Sequence, residues 1–450
     1  MPGPGETTPD APTAFRRFAS RARSLTVVHS SDSSILGRVY PIGDGLTIGR
    51  QSQPGVDIAI DDRLLSRRHA TIAPLGSSSV HELIDHESRN GSFVDGVRVQ
   101  RSHLSVGTIL RLGVTLFELT RDTAEDDAPT QPAIGDQRDA FIGRSVAFRE
   151  LAGALDAACK DAEPVVITGE PGSGKTIATS YLHHQRTPDG SMITVSCGSG
   201  PTLRLVDLVG GVDEEAGDTP LEGFLNGASG GTLVLDEVDL LDPALQQVLL
   251  ELLKTKRYTP AGEGEERELD ARIIATTCAN LEAAVDAGVF LRELHELLAV
   301  HAIDVPPLRS RRSDIPLLAQ HFLRLEEPNR RFDWSATFLE KLLLYDWPMN
   351  IRELRTVMRR LTMVEEEITT LRSAHLPKDI RRRVRMPSED ALRASAIQVH
   401  VVPSREELAE MLERHSGDVQ QLADHYAKDR RHVYRWLSRH DLSVNDFRKT

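Results

Sequence analysis

One octapeptide restricts this chain more than any other feature: Gly169-Glu170-Pro171-Gly172-Ser173-Gly174-Lys175-Thr176 follows the apolar run Pro164-Val165-Val166-Ile167-Thr168 and opens a helical segment. A G-x-x-x-x-G-K-[ST] loop set between a strand and a helix belongs to a parallel α/β sheet, whose strand delivers the loop to the start of the next helix. The glycines let backbone N–H groups wrap phosphates, Lys175 reaches the β- and γ-phosphates, and Thr176 holds Mg²⁺. Further on, Thr232-Leu233-Val234-Leu235-Asp236-Glu237 is an apolar strand ending in two carboxylates. Asp236 is expected to hold the same metal and Glu237 to polarise an attacking water, so ATP and Mg²⁺ are the expected cofactors.

At 450 residues the chain exceeds one ordinary domain, and about 100–200 residues per domain predicts two to four. Residues 1–22, rich in Pro, Gly and Thr, read as a disordered tail. From 23 to 120, short alternating apolar runs are separated by turn residues with no long 3.6-residue period, which predicts an all-β sandwich. Residues 121–140, with six acids and several Pro and Gly, read as a linker. Residues 141–305 alternate helical patterns with apolar strands and predict the α/β domain; residues 306–372 read as all helical. A second linker, 373–403, carries the basic cluster Lys378, Arg381, Arg382, Arg383 and Arg385, and 404–450 reads as short amphipathic helices.

In the sandwich the informative residues fall in turns: Gly49-Arg50, Ser66-Arg67-Arg68-His69, Asn90-Gly91-Ser92 and Asp95-Gly96. This order resembles the forkhead-associated (FHA) domain over about 75 residues. Loops at one end of a sandwich can bring a guanidinium, a hydroxyl and an amide onto one phosphate. The resemblance implies phosphothreonine binding, with Arg50, Ser66 and Asn90 on the phosphate, Arg67 and Ser92 beside it, and His69 bracing the loop. It also implies a Ser/Thr protein kinase upstream and a phosphothreonine-containing protein as partner. The chain's own tail is a second candidate ligand, because Thr7 has Asp10 three residues later.

Residues 142 to about 364 resemble the AAA+ domain of bacterial enhancer-binding proteins, the activators of sigma-54 RNA polymerase. The matching segments include Gly230-Gly231-Thr232-Leu233, Val305-Pro306-Pro307-Leu308-Arg309, Arg312-Ser313-Asp314-Ile315-Pro316 and Trp347-Pro348-Met349-Asn350-Ile351-Arg352-Glu353-Leu354. The resemblance implies a helical lid, Arg352 as a nucleotide-sensing arginine, and a homo-oligomeric ring, usually a hexamer. Three departures stand out. The family's GAFTGA loop is replaced by Gly210 to Pro220, with acids and a proline in place of the Phe-Thr contact. The two arginine-finger positions hold Leu291 and Leu297, with Arg292 one position off, about 100° round a helix. A sensing asparagine is replaced by Cys278, which does not orient a water as an amide does. Weak or no ATP turnover follows.

Residues 407–442 resemble the Fis-type helix-turn-helix that closes many such regulators. The segment 428–440 holds Lys428, Arg430, Arg431, Arg435 and Arg439 against one acid. A basic helix of this length fits the major groove, with Arg430, Arg431 and Arg435 as the expected DNA contacts. Net charge is −13, so DNA binding must rest on that local surface. Three widely spaced cysteines and the lack of a long apolar run predict a cytoplasmic protein without a membrane partner. The expected architecture is thus multidomain: an FHA sandwich, an α/β AAA+ domain with a helical lid, then an all-α helix-turn-helix. The expected activity is phosphothreonine-coupled transcription regulation. An interaction scaffold whose ATP site stabilises an oligomer stays open as the alternative.

Overall fold

Alternating side chains bury one face of a strand and expose the other, and this period builds the first layer pair. The computed structural model describes residues 23–50, 54–75, 81–121, 141–198, 203–213, 219–262, 264–363 and 369–382, with isolated positions among 408–447. The sandwich comprises β1 (Arg23–His29), β2 (Val39–Pro41), β3 (Leu46–Gly49), β4 (Ile58–Ala59), β5 (Ala70–Pro74), β6 (His81–Asp85), β7 (Ser92–Val94), β8 (Val97–Val99), β9 (Arg101–Leu104), β10 (Ile109–Leu112) and β11 (Thr115–Arg121). They form two sheets, ordered β2-β1-β11-β10-β7-β8 and β4-β3-β5-β6-β9. Leu25, Val27, Ile48, Ile72, Leu83 and Phe117 fill the space between them. Strand β11 breaks the alternation: Thr115 to Leu119 are all buried. Its outward residues are covered by another part of the chain.

The second region runs α1 (Val146–Ala158), β12 (Val165–Thr168), α2 (Lys175–Arg186), β13 (Met192–Ser196), α3 (Leu205–Val209), β14 (Gly211–Asp213), β15 (Thr219–Leu221), α4 (Phe224–Gly227), β16 (Gly231–Asp236), α5 (Pro243–Thr255), β17 (Arg257–Tyr258), β18 (Arg267–Glu268), β19 (Ala271–Thr277), α6 (Leu281–Asp286), α7 (Arg292–Leu298) and β20 (His301–Asp304). The main sheet is parallel throughout, in the order β13-β16-β19-β12-β20. Strand β16 is buried from Gly231 to Leu235, as a strand covered on both faces must be. Ser145 caps α1 by accepting from the Phe148 amide, and Asp242 caps α5 ahead of Pro243.

The lid that follows is α8 (Ile315–Glu326), α9 (Ala336–Leu344) and α10 (Asn350–Thr362). Residues 306–372 are not all helical, however. Between them β21 (Asp333–Trp334) pairs in parallel with β22 (Thr370–Leu371), because Trp334 and Leu371 pack under the helices while their backbones bond across the gap. A short α11 (Lys378–Arg382) ends this part, carrying Lys378, Arg381 and Arg382.

The lid covers the outer face of β11. Val28, Ile109 and Leu116 of the sandwich join one apolar cluster with Ile315, Leu342 and Trp347 of the lid. The chain divides into two compact units, Met1–Met386 and Pro387–Thr450. In the second, Leu408, Leu412, Val419 and Leu437 are helical and buried. The expected DNA contacts Arg430, Arg431 and Arg435, the helix-turn-helix as a motif, and the tail with Thr7 lie outside the described residues. Among the described residues no helix is long and apolar enough to cross a membrane.

Candidate functional site

The loop Gly169–Gly174 leaves the end of β12 and enters α2 with Lys175 as its first residue. Gly172 sits at φ +71°, where an L side chain is strained, and a Cβ there would lie 2.4 Å from the Met349 carbonyl oxygen. The loop therefore needs glycine both for its curvature and for the lid beside it. Lys175 Nζ donates to the carbonyls of Gly169 (2.8 Å) and Glu170 (3.3 Å) and to Cys278 Sγ (2.9 Å). Thr176 is exposed at the mouth of the loop. The buried Ser173 hydroxyl has no hydrogen-bond partner among the described residues. Left-handed glycines, an ammonium and an accessible hydroxyl at a helix start are the donor set that a nucleotide phosphate with Mg²⁺ requires, so the residues fit that pair.

Asp236 ends β16, and Thr276 at the end of β19 donates its hydroxyl to it. Glu237 follows in a left-handed conformation (φ 59°). A non-glycine residue held there costs on the order of 1–3 kcal/mol and such positions gather at functional sites. Both carboxylates are partly exposed at the carboxyl ends of the parallel strands. Burial and the nearby Asp236 push the Cys197 thiol up to about 12, which keeps it neutral.

The lid closes over this loop through residues to which sequence reasoning assigned no role. Arg309 forms an ion pair with Glu170, and with Asn350 it holds the Glu170 carboxyl down at about 2. Asn350 donates to Glu170 Oε2 and to the Pro171 carbonyl, both at 3.1 Å, and its own carbonyl accepts from the Leu308 amide at 2.8 Å. The Ile351 amide donates to the Gly172 carbonyl at 2.9 Å. Arg311, buried, donates to the Ser173 carbonyl. Arg352 lies on the same turn as these contacts and is exposed. Asn350 itself is buried and sits at φ 52°, a conformation asparagine tolerates better than most.

Leu291 and Leu297, expected at arginine-finger positions, pack partly buried against the core of the α/β region. Arg292 is exposed and pairs with Asp286 at 3.3 Å. Within Gly210–Pro220, strands β14 and β15 pair as a hairpin anchored where Arg204 meets Asp213 and Asp207, each at 2.8 Å; residues 214–218 lie outside the described set.

At the sandwich end, the loops after β3, β4 and β6 come together. The Arg50 amide donates to the Ser66 carbonyl (3.0 Å), the Arg89 amide to Ser66 Oγ (3.2 Å), and Asn90 Nδ2 to the Leu64 carbonyl (2.7 Å). Gly49 is required by close approach, since a Cβ there would overlap the Arg67 carbonyl at 2.0 Å. His69 is fully buried between two loops: its Nδ1 accepts from the Ser66 amide (3.1 Å), and its Nε2 faces the Gly91 carbonyl at 3.4 Å. Burial lowers its pKa, favouring the neutral ring. Arg67 and Asn90 are exposed and Arg50 partly so. Ser92 is placed differently from the sequence expectation. It is fully buried and donates to Asp85 Oδ2 at 2.5 Å, because its position in β7 points it inward, so it braces the loop and does not face a ligand.

Residues 46–113 match the FHA domain, 141–304 the Sigma-54 interaction domain, and 309–392 the AAA+ ATPase lid domain. The chain is 32% identical over 293 residues to the hydrogenase transcriptional regulatory protein HoxA of Bradyrhizobium diazoefficiens, spanning 62% of this chain and 60% of HoxA. It is 34% identical over 260 residues to the transcriptional regulatory protein ZraR of Escherichia coli K12, spanning 56% of this chain and 59% of ZraR. The chain thus spans about three fifths of the length of these curated relatives. Among solved structures, NtrX from Brucella abortus matches with a TM-score of 0.48 and 26% identity, over 68% of this chain and 70% of that one.

Proposed function

We propose that this chain is a transcription regulator of the sigma-54 activator type that reads phosphothreonine with its sandwich, binds ATP with Mg²⁺ beneath its lid, and binds DNA through its C-terminal segment. The observation that carries the proposal is a phosphate-binding loop clamped by a lid on the same chain as an FHA loop cluster. At the loop, Lys175 would hold the phosphates in place of its carbonyl and thiol partners, Thr176 and Asp236 would hold Mg²⁺, and Arg352 would contact the nucleotide from the lid. Glu237 orients a water. ATP, when bound, would supply the negatively charged triphosphate that these cationic and amide donors match.

Turnover is slow or absent. An arginine finger contributes on the order of 10³–10⁵ in rate in other P-loop enzymes, and here both positions are leucines packed against the core. With no Phe-Thr loop, the chain does not engage sigma-54 polymerase in the usual way. Phosphothreonine on a protein partner, or on the chain's own Thr7, docks on Arg50, Ser66, Arg67 and Asn90, and a Ser/Thr protein kinase supplies it. A homo-oligomer, a hexamer by family habit, places nucleotide between subunits.

The deciding experiment is MgATP binding against turnover across a protein concentration series. Tight binding that Lys175→Ala abolishes, with hydrolysis near background at every concentration, is the expected result. Hydrolysis rising with concentration overturns the slow-turnover reading. In parallel, a phosphothreonine peptide binds the full chain, its unphosphorylated twin does not, and Arg50→Ala loses the difference. The scaffold alternative draws on the same packed leucines. Specific DNA retention that falls in the Arg431→Ala, Arg435→Ala double variant excludes it.

A further inference from the structure

Four consecutive residues, Arg311-Arg312-Ser313-Asp314, form a buried turn between Leu308–Ser310 and α8. The adjacent guanidinium groups point to different parts of the molecule. Arg311 donates to the Ser173 carbonyl inside the phosphate-binding loop. Arg312 donates to the Gly107 carbonyl, in the turn between β9 and β10 of the sandwich, at 2.6 Å. The Ser313 carbonyl accepts from Arg144 Nε (3.3 Å), whose Nη2 continues to the Val28 carbonyl of the sandwich (3.1 Å). The Asp314 carboxylate accepts from the Arg144 and Ser145 amides and the Ser145 hydroxyl, all at 2.7 Å, fixing the start of α1. From the sandwich side, Glu118 on β11 faces Arg312, Ser313 and Asp314.

We propose that this turn couples the two ligand-binding parts of the chain, so that docking of the sandwich on the lid and occupancy of the Gly169–Thr176 loop strengthen each other. Close-packed interiors rearrange between discrete arrangements and do not deform smoothly. With all four residues of the turn buried, a shift that releases Arg312 from Gly107 moves Arg311 against Ser173. Docking holds Arg311 in place, and Arg311 keeps the loop in its left-handed, phosphate-ready shape. Nucleotide bound to that shape must in turn favour docking, because binding linkage is reciprocal. This inference rests on the proposed nucleotide reading of the loop.

The test uses the full chain and MgADP. The Arg312 hydrogen bond to the Gly107 carbonyl lies on the sandwich side of the turn, so Arg312→Met probes coupling through the turn. Calorimetric titration is expected to show MgADP affinity reduced at least about fivefold in R312M, the lower end of typical site-to-site coupling. In the wild-type chain, MgADP is expected to slow amide hydrogen exchange over residues 105–118. R312M affinity within about twofold of wild type, or exchange there indifferent to MgADP, overturns the coupling. If R312M fails to fold, the wild-type exchange measurement decides alone. A wild-type chain that takes up no MgADP overturns the nucleotide reading and the coupling together. Binding that Lys175→Ala abolishes while R312M leaves it intact overturns the coupling only.

Discussion

Glu118 is an outward position of β11 that meets another part of the chain in place of water. Burial pushes its carboxyl from its ordinary 4.5 to about 7, against the opposing pull of Arg312. A raised carboxyl pKa means the docked form keeps a proton that the free form releases. The advantage is complete below about pH 4.5 and is lost as pH rises through about 7. Thermal unfolding of the wild-type chain is therefore expected to fall between pH 6 and pH 8 more steeply than that of Glu118→Gln, which carries no titrating group there. Equal slopes remove Glu118 from the account. A second buried charge tests the same surface. Arg111 on β10 pairs with Glu340 of α9 at 3.0 Å, with its guanidinium 3.7 Å over the Phe93 ring. Glu340→Ala leaves that guanidinium unmatched and is expected to cost about 3–5 kcal/mol in denaturant unfolding, with much of the loss recovered in an Arg111→Met, Glu340→Leu double variant.

At the scale of elements, the short turn before α10 does more than start a helix. Trp347 and Asn350 both adopt left-handed backbone conformations, at φ 51° and 52°. The Trp347 indole donates to the Leu342 carbonyl at 2.9 Å, which ties the turn to α9. Asn350 ties it to the phosphate-binding loop through Glu170 and Pro171. Asn350→Ala removes these bonds, leaves the Leu308 amide without its acceptor, and strains the backbone. Each unmet buried polar group costs about 1–3 kcal/mol. Asn350→Gly is free of the strain but not of the lost bonds. Both variants are expected to weaken MgADP binding, and only the alanine variant should carry the additional drop in melting temperature due to strain. A glycine variant with wild-type affinity shows that the turn does not position the loop.

Across the molecule, the sandwich uses its two sheets for two tasks. The sheet containing β3, β5 and β6 carries Gly49-Arg50, Ser66 and the approach to Asn90, while the sheet containing β1, β10 and β11 lies on the lid. A phosphothreonine peptide is therefore expected to bind without displacing the sandwich. Hydrogen exchange over residues 49–66 and 89–92 should slow on adding the peptide, while residues 338–345 of the lid stay unchanged. Faster exchange in that lid segment contradicts separate faces.

The sequence alone determined the local structure of contiguous segments. The strand-loop-helix around Lys175, the two carboxylates at the end of β16, and the turn residues of the sandwich were all legible, because each is a short segment whose backbone conformation and donor set follow from neighbouring residues. The leucines at 291 and 297 were legible in the same way, and the structure packs both partly buried against the core. Tertiary structure decided the rest. Ser92 looked like a ligand contact until the strand register turned it toward Asp85. Nothing near Glu118 announced that it meets Ser313, and residues 121–140 read as an acidic linker. Yet the sandwich and lid share one apolar cluster. Such contacts join segments 205 positions apart, as between Gly107 and Arg312. Their free energy depends on which faces the folded layers leave uncovered, which no local pattern encodes.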